Sequence, residues 1–151
     1  MEKLSLRTVS RQQIIDITPQ IKKFLSSQKA GSGIVLVFSP HTTAGITVNE
    51  NADPDVKTDI TTFLNKIVPQ SPSFQHAEGN SDSHIKGSLV NFSQTFIVEN
   101  GQIQLGTWQS VFFMEFDGPR SREVWLQFAG NTNKKAALSH GRPNIPENCS
   151  F

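Results

Sequence analysis

The sequence predicts a domain built from β-strands and two or three short α-helices. Between residues 53 and 67, apolar side chains recur at i, i+4, i+7, i+8 and i+11, which is typical of an amphipathic helix. In the last third, the dipeptide Asn100-Gly101 separates two short apolar runs and predicts a β-hairpin. Helices are therefore expected in the first two thirds of the chain, and strands throughout.

The first half of the chain begins with two predicted strands, at residues 4–10 and 12–17, where side chains alternate or are β-branched. A helix is expected over residues 18–28, because Thr18 suits an N-cap and Pro19 suits the first turn.

Two further strands and a capped helix follow. Residues 34–38 are all apolar, which predicts a strand buried on both faces. Residues 44–49 alternate and predict the next strand. Asp53, followed by Pro54, is expected to cap the amphipathic helix. The remaining predicted elements are a loop at 69–79, a helix at about 82–89, hairpin strands at 95–99 and 102–105, and strands at 111–117 and 122–129.

Composition limits the classes of function. The chain has 151 residues, 14 basic and 13 acidic side chains, and a net charge of +1, so nothing favours nucleic acid or an acidic membrane as a partner. A lone Cys149 excludes an intramolecular disulfide. No apolar run reaches the length of a membrane span, and the first residues lack the pattern of a signal peptide. We therefore expect a cytoplasmic protein with one domain, residues 1–130, and a polar tail, residues 131–151.

Polar residues with catalytic or ligand-binding chemistry are concentrated in four segments, which contain three of the four histidines. This concentration is typical of a site that binds something polar. The segments are His41-Thr42-Thr43-Ala44-Gly45, Asn49-Glu50-Asn51-Ala52-Asp53-Pro54, His76-Ala77-Glu78-Gly79-Asn80-Ser81-Asp82-Ser83-His84 and Glu115-Phe116-Asp117-Gly118-Pro119-Arg120.

The predicted strand at 111–117 carries two carboxylates. Its period of two places Phe112, Met114 and Phe116 on an apolar core face, and Glu115 and Asp117 on the other face. Either the carboxylates belong to a site, or they face water at the rim of a sheet, where Asp117 could pair with a neighbouring arginine.

The histidines allow several interpretations. His41 ends a predicted buried strand, as a site residue or as a structural one. If His41, His76 and His84 converge, three imidazoles could hold a divalent metal with an open fourth position. Otherwise residues 76–84 form a solvated loop. Glu50 is a candidate acid or base, and Lys86 either binds phosphate or lies exposed on its helix.

Together the motifs resemble those of the YjbQ-type family, also called secondary thiamine-phosphate synthases, over residues 4–129. The resemblance rests on the first two segments with Asp55-Val56 added, on Glu78-Gly79-Asn80 with Asp82 and His84, on Gly106-Thr107-Trp108-Gln109, and on the Glu115 to Arg120 segment.

The resemblance implies an α+β fold with a mainly antiparallel sheet, a homotrimer, and one pocket near a subunit interface where the motifs meet. The implied activity joins a pyrimidine pyrophosphate to a thiazole phosphate, as a main or a side reaction. The implied catalytic residues are His41, Glu50, His84 and Glu115, the implied substrate or phosphate ligands are Thr42, Thr43, Asn80, Lys86, Gln109 and Arg120, and the implied metal ligands are His41, His76 and His84.

Three functions remain open at this point: a thiamine-phosphate synthase, a protein that binds a phosphorylated metabolite without turnover, and a metal-dependent hydrolase. Pyrophosphate loss usually requires Mg²⁺ with lysine or arginine, whereas several histidines suit Zn²⁺ better, so either metal is a candidate cofactor.

Overall fold

Eight strands and three helices form the part of the chain that the computed structural model describes, residues 1–133. The strands are β1 (Glu2–Arg7), β2 (Gln13–Asp16), β3 (Ala30–Phe38), β4 (Ala44–Glu50), β5 (Ser93–Glu99), β6 (Gln102–Ile103), β7 (Gln109–Glu115) and β8 (Ser121–Thr132). The helices are α1 (Thr18–Ser27), α2 (Pro54–Ile67) and α3 (Ser81–Val90). The predicted tail, residues 131–151, starts within β8 and lies outside the described residues from 134 onward.

The strands form two sheets in which every paired neighbour is antiparallel. One sheet has the order β1-β8-β3-β5-β6, and the other has the order β2-β7-β4. This confirms the α+β fold with mainly antiparallel sheets that the resemblance implied.

The hydrophobic core joins both sheets and α1 in one cluster. Alternate residues of β3 and β8 point into it, and Val111 and Phe113 of β7 meet them. From β3, β8 and α1 the core receives Val35, Val37, Val124, Leu126, Ile21, Phe24 and Leu25. The apolar faces of these elements therefore pack into one shared core.

Several sequence predictions are confirmed in detail. Asn100 and Gly101 both adopt positive φ, 51° and 76°, as a two-residue hairpin turn requires. Asp53 caps α2 by accepting the backbone N–H of Asp55 at 2.8 Å.

The prediction that residues 34–38 are buried on both faces is wrong. Ile34 and Leu36 are 47% and 39% exposed, while Val35 and Val37 are fully buried. The outward face of β3 has no covering layer within residues 1–133, so continuous apolarity here does not mean burial on two faces.

The interpretation in which Glu115 faces water at a sheet rim is also wrong. Its neighbours on the same face, Val111 and Phe113, belong to the shared core, and Glu115 itself is 1% exposed. The opposite face, with Phe112 and Met114, is buried too. Asp117 is likewise buried.

Within residues 1–133, no helix has the length and apolarity needed to cross a membrane. The cytoplasmic location expected from the sequence stays a prediction.

Candidate functional site

A polar pocket of about 270 Å³ lies where three chain segments meet. These are the loop from β3 to β4, the N-terminal end of α3, and the connection from β7 to β8. We call it the α3 pocket. Its lining residues are Pro40, His41, Thr42, Thr43, Glu78, Asn80, His84, Asp117, Arg120 and Arg122. Three of the four polar segments of the sequence therefore contribute to one pocket.

A buried ion pair lies at one side of this pocket. The Arg122 guanidinium donates from Nε to Oε2 of Glu115 at 2.7 Å and from Nη2 to Oε1 at 2.6 Å. Nη2 also donates to the Thr43 hydroxyl at 2.8 Å. This fork geometry fixes the plane of the guanidinium against the pocket wall.

Glu115 is saturated by hydrogen bonds. Besides Arg122, its carboxylate accepts the Thr8 hydroxyl and the backbone N–H groups of Phe116 and Asp117. Burial alone would raise the pKa of Glu115, but the hydrogen bonds from Arg122 and the Asp117 N–H outweigh it, so the pKa is lowered. Glu115 is thus held ionised and positions Arg122. It is not free to exchange a proton.

A second chain of charges runs from the interior to the pocket. Lys86 Nζ lies 2.9 Å from Asp82, and Asp82 lies 2.8 Å from Arg11. Arg11 lies 3.6 Å from Asp117, which pairs with Arg120 at 2.5 Å. Three cations alternate with two carboxylates, and the half-exposed Arg120 ends the chain at the pocket.

Lys86 does not line the α3 pocket. Its side chain is 1% exposed and its ammonium group contacts Asp82. The observed position of Lys86 therefore agrees neither with a phosphate ligand in this pocket nor with an exposed helix lysine. Burial acts to raise the pKa of Asp82, yet the hydrogen bonds from Lys86 and Arg11 lower it. Lys86 neutralises a buried carboxylate that would otherwise be costly.

His41 lies in the pocket with one ring nitrogen already engaged. Its Nε2 accepts the backbone N–H of Glu123 at 2.9 Å, which assigns the proton of the neutral ring to Nδ1. Burial lowers the pKa of His41, and the positive charge of Arg122 lowers it further. The ring is therefore neutral at pH 7.

His84 faces the α3 pocket, and His76 lies beside it on the outer side. Their ring centroids are 5.2 Å apart with an edge-to-face angle of 86°. His76 does not line the α3 pocket. It approaches Glu78 at 3.8 Å and faces a neighbouring pocket that it shares with His84.

The three histidines do not form a preformed metal site. Among residues 1–133, no three His, Cys, Asp or Glu side chains are arranged to hold a metal ion. A zinc ligand also needs a ring nitrogen with a free lone pair, whereas in His41 Nε2 accepts the Glu123 N–H and Nδ1 carries the proton. These residues do not fit a three-histidine Zn²⁺ or Mg²⁺ centre within one chain, and metal binding stays a prediction of the sequence.

Asn80 links the pocket to α3. It precedes the first residue of the helix, and its Nδ2 donates to Asp117 at 2.9 Å. Its Oδ1 is buried without a hydrogen-bond partner among residues 1–133. Such an orphaned acceptor needs a donor from water or a ligand.

Besides His76 and Lys86, two further predicted site residues, Glu50 and Gln109, lie outside the α3 pocket. Glu50 pairs with Gln109 at one end of the β4–β7 ladder, whereas Ala44 pairs with Glu115 at the other end. Six residues separate the two ends, or about 20 Å along a strand. Within residues 1–133 of a single chain these motifs therefore do not all line one pocket, and the shared pocket near a subunit interface stays a prediction.

Arg122, which donates three hydrogen bonds at the site, was not among the residues predicted from the sequence. The available signal was its position, because Arg122, Val124 and Leu126 share one face of β8. A charge at the end of an otherwise apolar face must have a buried partner. Asp82 and Arg11 were missed as pocket supports, since nothing local in the sequence joins residue 11 to residue 82.

Comparison with known proteins agrees with this architecture. Residues 2–131 match the family model described as UPF0047 protein YjbQ-like. The chain is 52% identical to the UPF0047 protein MJ1081 of Methanocaldococcus jannaschii, covering 85% of this chain and 94% of that protein. It is 46% identical to the UPF0047 protein YugU of Bacillus subtilis, covering 86% and 99%.

Solved structures show the same fold. A crystal structure of a YjbQ/UPF0047 family protein from Clostridium acetobutylicum matches with a TM-score of 0.84 and 50% identity, covering 85% of this chain and 100% of that one. The hypothetical protein APE1520 of Aeropyrum pernix matches with a TM-score of 0.82 and 32% identity, covering 86% and 98%. With its fold and its polar motifs placed, the chain belongs to the YjbQ-like UPF0047 family.

Proposed function

We propose that the α3 pocket binds the phosphate group of a small phosphorylated metabolite. The observation that carries this proposal is the pair of arginines on the pocket wall. Nη1 of Arg120 and Nη1 of Arg122 make no hydrogen bond to any residue in 1–133, although the other guanidinium nitrogens are engaged. Guanidinium groups held in this way are suited to phosphate oxygens.

Three further features support an anionic ligand. The charge chain from Lys86 to Arg120 has one more cation than carboxylates. The pocket also adjoins the first turn of α3, whose dipole favours negative charge. The hydroxyls of Thr42 and Thr43 lie on its wall.

We further propose that the pocket carries out the reaction that the family resemblance implies. The thiazole nitrogen of a thiazole phosphate would bond to the methylene carbon of a pyrimidine pyrophosphate, and the bond from that carbon to the pyrophosphate oxygen would break, giving thiamine phosphate and pyrophosphate. Arg120 and Arg122 would stabilise the departing pyrophosphate oxygens. His84 would donate the proton that the departing pyrophosphate oxygen takes up, because Glu115 is ion-paired and His41 accepts a backbone hydrogen bond. Glu50 and Gln109 act in this reaction only if a second chain brings them to the pocket.

The test is an assay of the purified protein for thiamine phosphate, with and without Mg²⁺ or Zn²⁺. We expect product that falls at least tenfold in His84→Ala and Arg120→Ala, whereas Lys66→Ala, an exposed lysine at the end of α2, changes nothing. No product, or product unchanged in His84→Ala, would contradict the catalytic proposal.

A binding protein without turnover is the second candidate. It is favoured by one observation: both glutamates predicted as acid or base are unavailable in the pocket, Glu115 because it is saturated and Glu50 because it lies at the far end of β4. A phosphorylated metabolite that raises the melting temperature and is recovered chemically unchanged would support this function.

We propose that the chain assembles as a homotrimer, which the resemblance implies. The outward face of the five-stranded sheet supports an assembly, because Ile34, its register partner Ile97 and Leu36 are exposed together. Sedimentation should give three chains per particle, and Ile97→Asp should dissociate it. A monomeric wild-type protein would contradict the proposal.

A further inference from the structure

A second pocket of about 350 Å³ adjoins the α3 pocket. It is lined by Phe74, His76, Ser81, His84 and Ile85. We call it the side pocket. His84 lines both pockets, so the two pockets meet at this side chain.

The two pockets differ in chemistry. The α3 pocket has arginines, hydroxyls and a carboxamide, whereas the side pocket has one aromatic and one aliphatic side chain and two imidazole rings, with Ser81 as its hydroxyl. Ile85 is 37% exposed and is therefore not sealed by the described part of the chain. Ring faces and edges of this kind are preferred contacts for another flat ring.

We propose that the side pocket binds the ring of an aromatic or heteroaromatic phosphate ester whose phosphate occupies the α3 pocket. This inference rests on the proposed phosphate binding and adds the location of the second half of the ligand. Because His84 lines both pockets, a ring and a phosphate joined by a short linker would occupy both at once.

Phe74 and Ile85 then determine specificity without contacting the phosphate. Phe74 comes from the loop after α2, and Ile85 lies on α3 one residue after His84. Neither lines the α3 pocket. Truncating them should therefore weaken binding of the ring and leave binding of a bare phosphate group unchanged.

The test compares phenyl phosphate with methyl phosphate by isothermal titration calorimetry on the full chain. Burying roughly half of a phenyl ring should make phenyl phosphate bind about tenfold tighter than methyl phosphate. Phe74→Ala should remove most of that difference while the methyl phosphate affinity stays the same. Phe63→Ala, a matched change on the exposed surface of α2, should leave both affinities unchanged.

The outcomes separate the two proposals. If methyl phosphate binds but phenyl phosphate binds no tighter, or if Phe74→Ala and Ile85→Ser leave the preference intact, the side pocket proposal is wrong and phosphate binding stands. If neither compound binds, both proposals fail. A Phe74→Ala variant that changes self-association in sedimentation, but not the preference for phenyl phosphate, would make this surface a contact between copies and overturn the ring site. Ile85→Ser provides the second variant if Phe74→Ala does not fold.

Discussion

Among single residues, Glu115 connects the core to the pocket. It continues the apolar face of Val111 and Phe113 up to the pocket wall, where it meets Arg122. A carboxylate at this depth is tolerated because five hydrogen bonds from four residues and one ion pair surround it. The ion pair therefore fixes the Arg122 guanidinium at the end of β7.

Replacing Glu115 by Gln should destabilise the fold by roughly 3–5 kcal/mol at pH 7, because Arg122 would remain buried without its counter-charge. Urea unfolding measures this loss. Glu99→Gln, a matched change at an exposed strand end, should stay within about 0.5 kcal/mol. Equal stability of the Glu115→Gln and wild-type chains would contradict the role given to the pair.

Lowering the pH should destabilise the fold by protonating the Glu115 carboxylate. Its folded pKa lies below the ordinary 4.5, so its contribution to stability is fully present above pH 4.5 and is lost as pH falls through the folded pKa. The Glu115→Gln variant should show a smaller loss of stability below pH 4.5 than wild type.

His41 should titrate below the ordinary 6.5, because burial and Arg122 both disfavour its charged form. Between its folded pKa and 6.5, the unfolded chain binds the extra proton, so stability should fall as pH decreases through this window. Following the imidazole resonances of His41 by NMR gives the midpoint. A midpoint at or above 6.5 would contradict the neutral ring described here.

At the scale of elements, the packing of α3 on β4 positions the pocket. Gly45 allows this approach: a Cβ there would lie 2.8 Å from the Asn91 carbonyl oxygen and 2.8 Å from Val90 Cγ1. The helix thus rests on the strand that follows His41-Thr42-Thr43.

Gly45→Ala should therefore push the C-terminal end of α3 away and cost about 1–3 kcal/mol. It should also weaken phosphate binding, because Asn80 and His84 move with the helix. Ser88→Ala, on the exposed side of α3, is the control and should change stability by less than about 0.5 kcal/mol. A Gly45→Ala variant with wild-type stability and affinity would contradict this packing.

Local sequence patterns predicted most of the helices and strands, but not which of their side chains are buried or paired. The hairpin at Asn100-Gly101 and the Asp53 cap depend on neighbouring residues only, and both were predicted correctly. Exposure of Ile34 depends on which layer covers β3, and pairing of Glu115 with Arg122 depends on how β7 meets β8. Such contacts lie between elements, and local sequence periodicity does not encode them.

The whole molecule has polar clusters at both ends of the β4–β7 ladder. The α3 pocket lies at the Ala44–Glu115 end, and Glu50 with Gln109 lies at the other end. Among residues 1–133 of one chain, only the first end combines arginines, histidines and hydroxyls around a pocket. We therefore place ligand binding at the first end.

Phosphate binding in the α3 pocket can be tested by titrating isotope-labelled protein with inorganic phosphate and following the backbone amides by two-dimensional NMR. We expect saturable shifts concentrated at residues 41–43, 78–84, 117–118 and 120–122, which disappear in Arg120→Ala. Absence of saturable shifts, or shifts concentrated around Glu50 and Gln109 instead, would contradict phosphate binding in this pocket.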